Sequence, residues 1–305
     1  MKKFLLNILV FSILFFAFDK LFIYLRSAAA ERQVDKRLEV VINGKMDADL
    51  LIFGSSIGAQ GIIASSLSKE LNIKAYNLSF PGSNVDFHEY LLNQVLINGN
   101  KKPKLVLLNV DEPAELIANT SINFRLDRLY PLVKYESIRD ELNKREGKNK
   151  WFSQFLILYQ LNKSNLDLRQ KKFNTYDTIL PCGSMPSYLT TNNFPSNYPS
   201  QALKYNIKDE SPYLIKKFQS FINLCAKHHI KLVIVYPPKY RPRNKTFEER
   251  IQFLAGNKAL HLMYNDQDSL YRDKINYIDA SHLRTNGAHL FTKEVAIYLK
   301  VQQLF

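Results

Sequence analysis

With 305 residues, the chain is long enough for one large domain or two small ones. Hydrophobic residues at 46% and charged residues at 23% fit a globular protein and exclude a disordered or fibrous chain. The net charge of +14 invites a nucleic-acid reading. The lysines and arginines, however, are spread along the whole chain with no basic helix, zinc-ligand set or stacking-aromatic motif, so no nucleic-acid partner is expected.

Lys2 and Lys3 precede an apolar run from Phe4 to Phe18, and after Asp19-Lys20 the apolar character resumes through Leu25. This stretch, about 22 residues long, spans a bilayer if helical. Lysines ahead of the run argue for an inside N-terminus, which puts everything after it outside the cytoplasm. Residues 1–26 are thus expected to be a transmembrane signal anchor. The alternative is a cleaved signal peptide, for which Ala28-Ala29-Ala30 offers small residues, although the core run ends early for such a signal. Both alternatives export the protein. Residues 27–47 are polar and charged and read as a juxtamembrane helix or linker.

From residue 48 short apolar runs alternate with amphipathic stretches. The runs predict strands at Leu50–Phe53, Ile73–Leu78 and Leu105–Val110, with helices over Gly61–Leu71 and Phe87–Leu96 between them. After residue 205 the alternation resumes. A helix starts at Ser211-Pro212, then come a strand at Leu232–Tyr236, a helix over Phe247–Lys258, a strand at Ile275–Ile278 and a terminal helix over Asn286–Leu299. Five such strands predict an α/β domain, a three-layer, flavodoxin-like doubly wound parallel sheet covered on both faces. Between these halves, residues 113–205 lose the alternation; helices are expected only over Tyr130–Lys144 and Trp151–Leu161. The segment reads as a helical and irregular insertion packed as a cap beside the sheet. Cys182 and Cys225 are the only cysteines. Outside the cytoplasm they are free to pair, or they are simply two small apolar side chains.

Ligands of a doubly wound sheet bind at the carboxyl ends of its strands. Gly54-Ser55-Ser56 follows the first strand, where glycine permits a tight turn and a serine hydroxyl stands above the sheet edge. Asp279-Ala280-Ser281-His282 follows the last expected strand. An Asp three residues before a His can accept from one imidazole nitrogen while the other faces a serine, the arrangement of a general base for acyl transfer. Each feature alone is equally well a turn, a cap or a polar loop residue. No Cys/His cluster has metal-ligand spacing, so neither a metal nor a cofactor is expected.

Together these residues resemble the SGNH/GDSL hydrolase superfamily, whose nucleophile opens the first sequence block and whose Asp-x-x-His forms the last. Tyr76-Asn77-Leu78-Ser79-Phe80-Pro81-Gly82 is similar to the second block, and His282-Leu283…Asn286-Gly287-Ala288 to the run that opens the terminal helix. The resemblance covers roughly residues 49–112 and 211–300. It implies the SGNH hydrolase fold, Ser56, Asp279 and His282 as the catalytic set, and backbone N–H groups of Ser56 and Gly82 as oxyanion-hole donors. Two positions depart from the pattern. Ser55 stands at the usual Asp place of the first block, and Asp111, in Asn109-Val110-Asp111-Glu112, where the third block supplies an asparagine. A carboxylate only accepts, so Asn109 is the alternative third donor. Candidate substrate contacts are Asp111, His88, Arg241 and Arg243, with the plainer alternatives of a helix start for His88 and solvated loop charges for the arginines. The resemblance implies an ester hydrolase or O-acyltransferase of the cell envelope, with an ester or polysaccharide substrate; the N-terminal helix makes the membrane a further partner. The competing reading is a non-catalytic binding or scaffold protein of the same type.

Overall fold

The computed structural model describes residues 1–31, 35–156, 159, 178–189 and 197–305. In chain order, helices α1 (Lys2–Glu31) and α2 (Arg37–Ile42) precede strand β1 (Leu50–Phe53). Helices α3 (Ser56–Gly61) and α4 (Ala64–Leu71), strand β2 (Ala75–Asn77), helix α5 (Val85–Asn98) and strand β3 (Leu105–Asn109) follow. Next come α6 (Leu126–Leu129), α7 (Glu136–Glu146) and α8 (Lys150–Phe155). The chain closes with α9 (Pro212–Lys227), β4 (Lys231–Tyr236), α10 (Lys245–Ala255), β5 (Leu260–Met263) and α11 (Thr285–Val301).

The five strands form one sheet in the order β2-β1-β3-β4-β5, every pair parallel, which is the flavodoxin-like doubly wound order. Each strand of the central trio is a continuous apolar run because both of its faces are covered. Leu50, Leu51, Ile52 and Phe53 are all fully buried. Burying such a side chain contributes about 1.5–3 kcal/mol, so the sheet centre dominates the stability of this unit. One face, with Leu50, Ile52, Leu105, Leu107, Val233 and Val235, packs against Ile62 and Leu67 and against Phe291, Val295 and Leu299 of α11. On β1 the intervening Phe53 meets Phe221 of α9 edge to face at 5.4 Å. Helix α9 also packs along α5.

The last strand differs from expectation. Ile275–Ile278 is not a strand: Lys274–Asn276 is a 3-10 turn capped by the Asp273 side chain, and Tyr277 makes only a single antiparallel bridge, to Leu283. Its apolar character serves burial rather than pairing, since Tyr277 is fully buried with its hydroxyl donating to the Tyr271 carbonyl. The fifth strand is instead Leu260–Met263, in register with β4 from Val233↔Leu260 to Tyr236↔Met263. Other boundaries move less. Helix α5 is longer than expected, and the helix anticipated over Tyr130–Lys144 is α6, a 3-10 turn at Tyr130–Leu132 and α7. Of the helix anticipated over Trp151–Leu161, only α8 and its immediate flank fall within the described residues. Cys182 and Cys225 are free, and burial pushes the Cys225 thiol up to about 12.

The chain divides into two compact units: Met1–Glu39 with Arg125–Lys172, and Val40–Phe124 with Phe173–Phe305. Of the expected insertion 113–205, the described residues 125–156 fall in the first unit and 113–124 in the second. In the first unit, Lys2–Phe22 of α1 is long and apolar enough to cross a membrane, with mean hydropathy 2.0. In the second unit, the strap Leu180–Ser187 is built into the sheet edge. Cys182 O accepts from Asn77 N, Met185 N donates to Ala59 O, and Ser184 Oγ donates to Ile62 O.

Candidate active site

Three turns at one end of the sheet carry the candidate site residues. The first is the β1–α3 turn. Gly54 has φ +154, and a Cβ there would stand 2.9 Å from the Asn109 Cβ and 3.1 Å from its carbonyl oxygen, so only glycine fits. Ser55 is the N-cap of α3 and Ser56 its first residue, which leaves the Ser56 backbone N–H without an intrahelical acceptor. Ser55 is fully buried, whereas Ser56 is half-buried.

The second turn is Asp279–His282, closed by Ile278 N donating to His282 O at 2.8 Å. Asp279 Oδ1 accepts from the backbone N–H groups of Ser281 (2.8 Å) and His282 (2.9 Å). Both carboxylate oxygens lie 2.9 Å from His282 Nδ1. With Nδ1–H directed at the carboxylate, Nε2 keeps its lone pair, and Nε2 lies 2.8 Å from Ser56 Oγ. Burial works to raise the Asp279 carboxyl, but the His282 hydrogen bond and charge and the two backbone donors outweigh it and hold it below the ordinary value. The contribution of this loop to stability is thus present above the ordinary aspartate value and lost as pH falls below it. Three residues separated by as much as 226 positions meet in a continuous Oγ–Nε2, Nδ1–carboxylate chain.

The third turn follows β2. Gly82 has φ +73, and its carbonyl accepts from Asn123 N. Phe80 N and Ser83 Oγ both donate to the Gly54 carbonyl, which ties this turn to the first. Neither Ser56 N nor Gly82 N has an acceptor among the described residues. Asn109 differs: it is fully buried, and its amide donates to the Phe53 carbonyl at 3.0 Å, bracing β1 against β3.

The candidate substrate contacts are placed otherwise than expected. Asp111 is 8% exposed and faces inward; its carboxylate accepts from Ser55 Oγ at 2.6 Å and from Lys239 Nζ at 3.2 Å. His88 lies on α5, 1% exposed, its Nε2 2.9 Å from Ser83 Oγ. Burial drives its imidazole down to about 3 against the opposing Gly54 carbonyl, so it is a neutral core residue rather than an open contact. Arg243 is held by both oxygens of Glu248 at 2.8 and 2.7 Å, and Arg241 lies 3.8 Å from Glu112. Both line an open cleft of about 350 Å³ at the end of β4, but their charges are matched by these carboxylates rather than solvated. All four thus have a protein partner for at least one polar group, although His88 Nδ1 and Arg241 Nε are buried without a hydrogen-bond partner among the described residues.

Lys239 was not expected to matter. It is 6% exposed, directly after the Pro237-Pro238 stop, and also donates to the Glu112 carbonyl at 2.9 Å. The next residue, Tyr240, donates its N–H to the Ala280 carbonyl at 3.0 Å. Ser55, Asp111, Lys239 and Tyr240 therefore link the serine turn to the Asp279–His282 turn. The signal available in the sequence was a lysine at a strand end opposite an aspartate at the neighbouring strand end. Glu115, whose carboxylate accepts from Asp111 N, is fully buried, and desolvation raises it from 4.5 to about 8. Between those values the folded protein holds a proton that the unfolded chain releases. Stability is complete below 4.5 and falls by about 1.4 kcal/mol per pH unit toward pH 8 from this group. Thermal unfolding at pH 5.5 and pH 8 should show that fall in the wild type and a clearly smaller one in Glu115→Gln.

The sequence matches no protein-family model, and no curated protein matches it.

Proposed function

We propose that this chain is a serine-dependent acyl-ester hydrolase or O-acyltransferase of the SGNH/GDSL type, carried outside the cytoplasm on an uncleaved N-terminal anchor. The observation that supports it is the unbroken Ser56–His282–Asp279 chain at the carboxyl ends of β1 and its neighbours. In this reading His282 Nε2 takes the Ser56 proton as Oγ attacks the ester carbonyl. The negative charge that develops on the carbonyl oxygen is met by the unengaged backbone N–H groups of Ser56 and Gly82. Collapse expels the alcohol, which takes the proton back from His282, and leaves the acyl group on Ser56. Water, or a sugar hydroxyl deprotonated by the same imidazole, then accepts it. Asp279 stays ionised throughout and stabilises the imidazolium. An esterified carbohydrate of the cell envelope is the proposed substrate class, which rests on the resemblance of the sequence blocks.

Full-length protein in detergent should release nitrophenol from p-nitrophenyl acetate above the background rate. A folded preparation that never does so favours the second reading, a non-catalytic envelope protein of this type. The observation on its side is the third block, where Asp111 is turned to Lys239 and the Asn109 amide to Phe53. For the anchor, a C-terminal alkaline phosphatase fusion should be active and membrane-bound. Active enzyme released as a shortened soluble protein would mean that the leader is cleaved.

A further inference from the structure

The first compact unit contains an apolar surface that the active-site reading leaves unused. Helix α8 presents Trp151, Phe152 and Phe155 at 71%, 57% and 53% exposure, whereas Phe53, Phe87 and Phe221 of the α/β unit are fully buried. Trp151 and Phe155, four residues apart, stack at 5.7 Å on one side of the helix. Large aromatics grouped and left open in this way mark an interaction surface, because a soluble exterior rarely leaves such a cluster to water.

The neighbour of this cluster says what covers it. Lys20 Nζ donates to the Phe155 carbonyl at 2.8 Å, and Lys20 lies near the end of the apolar span Lys2–Phe22. Along that span nearly every apolar side chain is exposed, but Asp19 is fully buried and pairs with Lys20 at 3.3 Å. The polar side of α1 thus faces its own unit at the level where the apolar run stops. That level is one membrane–water boundary if Lys2 and Lys3 mark the other, since a span of about 20 helical residues crosses the hydrocarbon layer. Tyr24, 74% exposed and just beyond the span, is at the same level. Tryptophan and tyrosine favour this boundary, where an apolar ring meets hydrocarbon and a polar edge meets headgroups and water. The nearby Lys148 and Lys150 are paired with Glu146 at 2.8 Å and Asp140 at 3.0 Å, so it is the aromatic face and the span, not these charges, that point to lipid.

We propose that α8 is an interfacial membrane anchor, with Trp151, Phe152 and Phe155 seated in the headgroup region of the leaflet at which α1 emerges. The occupant of this surface is phospholipid. The proposal rests on α1 spanning the bilayer but not on the acyl-transfer reading, and it stands whether or not Ser56 reacts.

Trp151 is the single tryptophan of the chain, so its own fluorescence reports the answer. Full-length protein is reconstituted into phosphatidylcholine vesicles whose acyl chains carry bromine either near the headgroup or near the bilayer centre. Shallow bromines should quench Trp151 about twofold, deep bromines less, and aqueous iodide little, as a ring at the boundary requires. Quenching by iodide but not by either lipid means the aromatic face is in water and overturns the proposal. Emission shielded from both quenchers means that protein, a second copy included, covers the face, and also overturns it. Protein that washes off the vesicles refutes the span and the placement of α8 with it.

Discussion

Replacing Ser56 by alanine is expected to lower turnover of an activated ester by about 10⁴-fold or more, and His282→Ala by a similar factor. The double variant should be scarcely worse than either single one, because the hydroxyl and the imidazole act as one unit through the 2.8 Å Oγ–Nε2 contact. Asp279→Asn should cost less than loss of the serine. It removes the carboxylate that selects the imidazole tautomer but leaves the nucleophile and the Ser281 and His282 backbone geometry in place. Circular dichroism should be unchanged in all of them, since Ser56, Asp279 and His282 are only partly buried. Additive losses would mean that the residues act independently and that the contact is structural.

The second large effect falls on stability and arises at Lys239. Lys239→Met removes the ammonium from a carboxylate that, among the described residues, is otherwise held only by Ser55 Oγ and is buried to all but 8%. Breaking a buried pair by removing one partner costs about 3–5 kcal/mol, because the remaining charge stays desolvated and uncompensated. For a unit of this size the melting temperature should drop by roughly 10 °C. Asp111→Asn leaves the Lys239 cation uncompensated instead and should also destabilise. Combining Lys239→Met with Asp111→Leu removes both charges and should recover much of the loss. If Lys239→Met melts with the wild type, the pair carries no weight and the link between the two turns through Tyr240 and Ala280 is incidental.

The same buried pair explains which parts of the site were legible in the sequence. The Ser56 and Asp279–His282 turns were legible because backbone constraints fix them locally: Gly54 at positive φ aims the serine, and two backbone donors hold Asp279. What Asp111 and Arg241 touch was not legible, because Lys239 and Glu112 lie far away in the chain, and the near partners of His88 and Arg243, Ser83 and Glu248, meet them only through the turn geometry of the fold. Asp111 finds Lys239 128 residues on, while Arg243 finds Glu248 only by the helical turn of α10. A lone lysine after two prolines reads as a solvated loop charge until the neighbouring strand end is known.

The fold shows the same division. Strands β1, β3 and β4 announced themselves because a parallel strand buried on both faces is an unbroken apolar run. Strand β5 did not, since it is a partly exposed edge interrupted by His261, whereas Ile275–Ile278 carried apolar residues that pack without pairing. Sequence pattern registers burial, and burial separates a strand from a packed loop only when both faces are covered. For residues 125–156 no short apolar period identifies the unit, because α6, α7 and α8 group with the N-terminal helix rather than with the sheet.

The central claim is that Ser56 is an activated nucleophile, and covalent capture measures it most directly. Full-length protein incubated with a fluorophosphonate and digested for mass spectrometry should yield one adduct, on the peptide carrying Ser55-Ser56, with fragment ions placing it on Ser56. His282→Ala should abolish the adduct while leaving the fold intact, since the hydroxyl then lacks the base 2.8 Å away. An adduct on Ser55, an adduct that survives loss of His282, or no adduct in the folded wild type would contradict the account and leave the non-catalytic reading in its place.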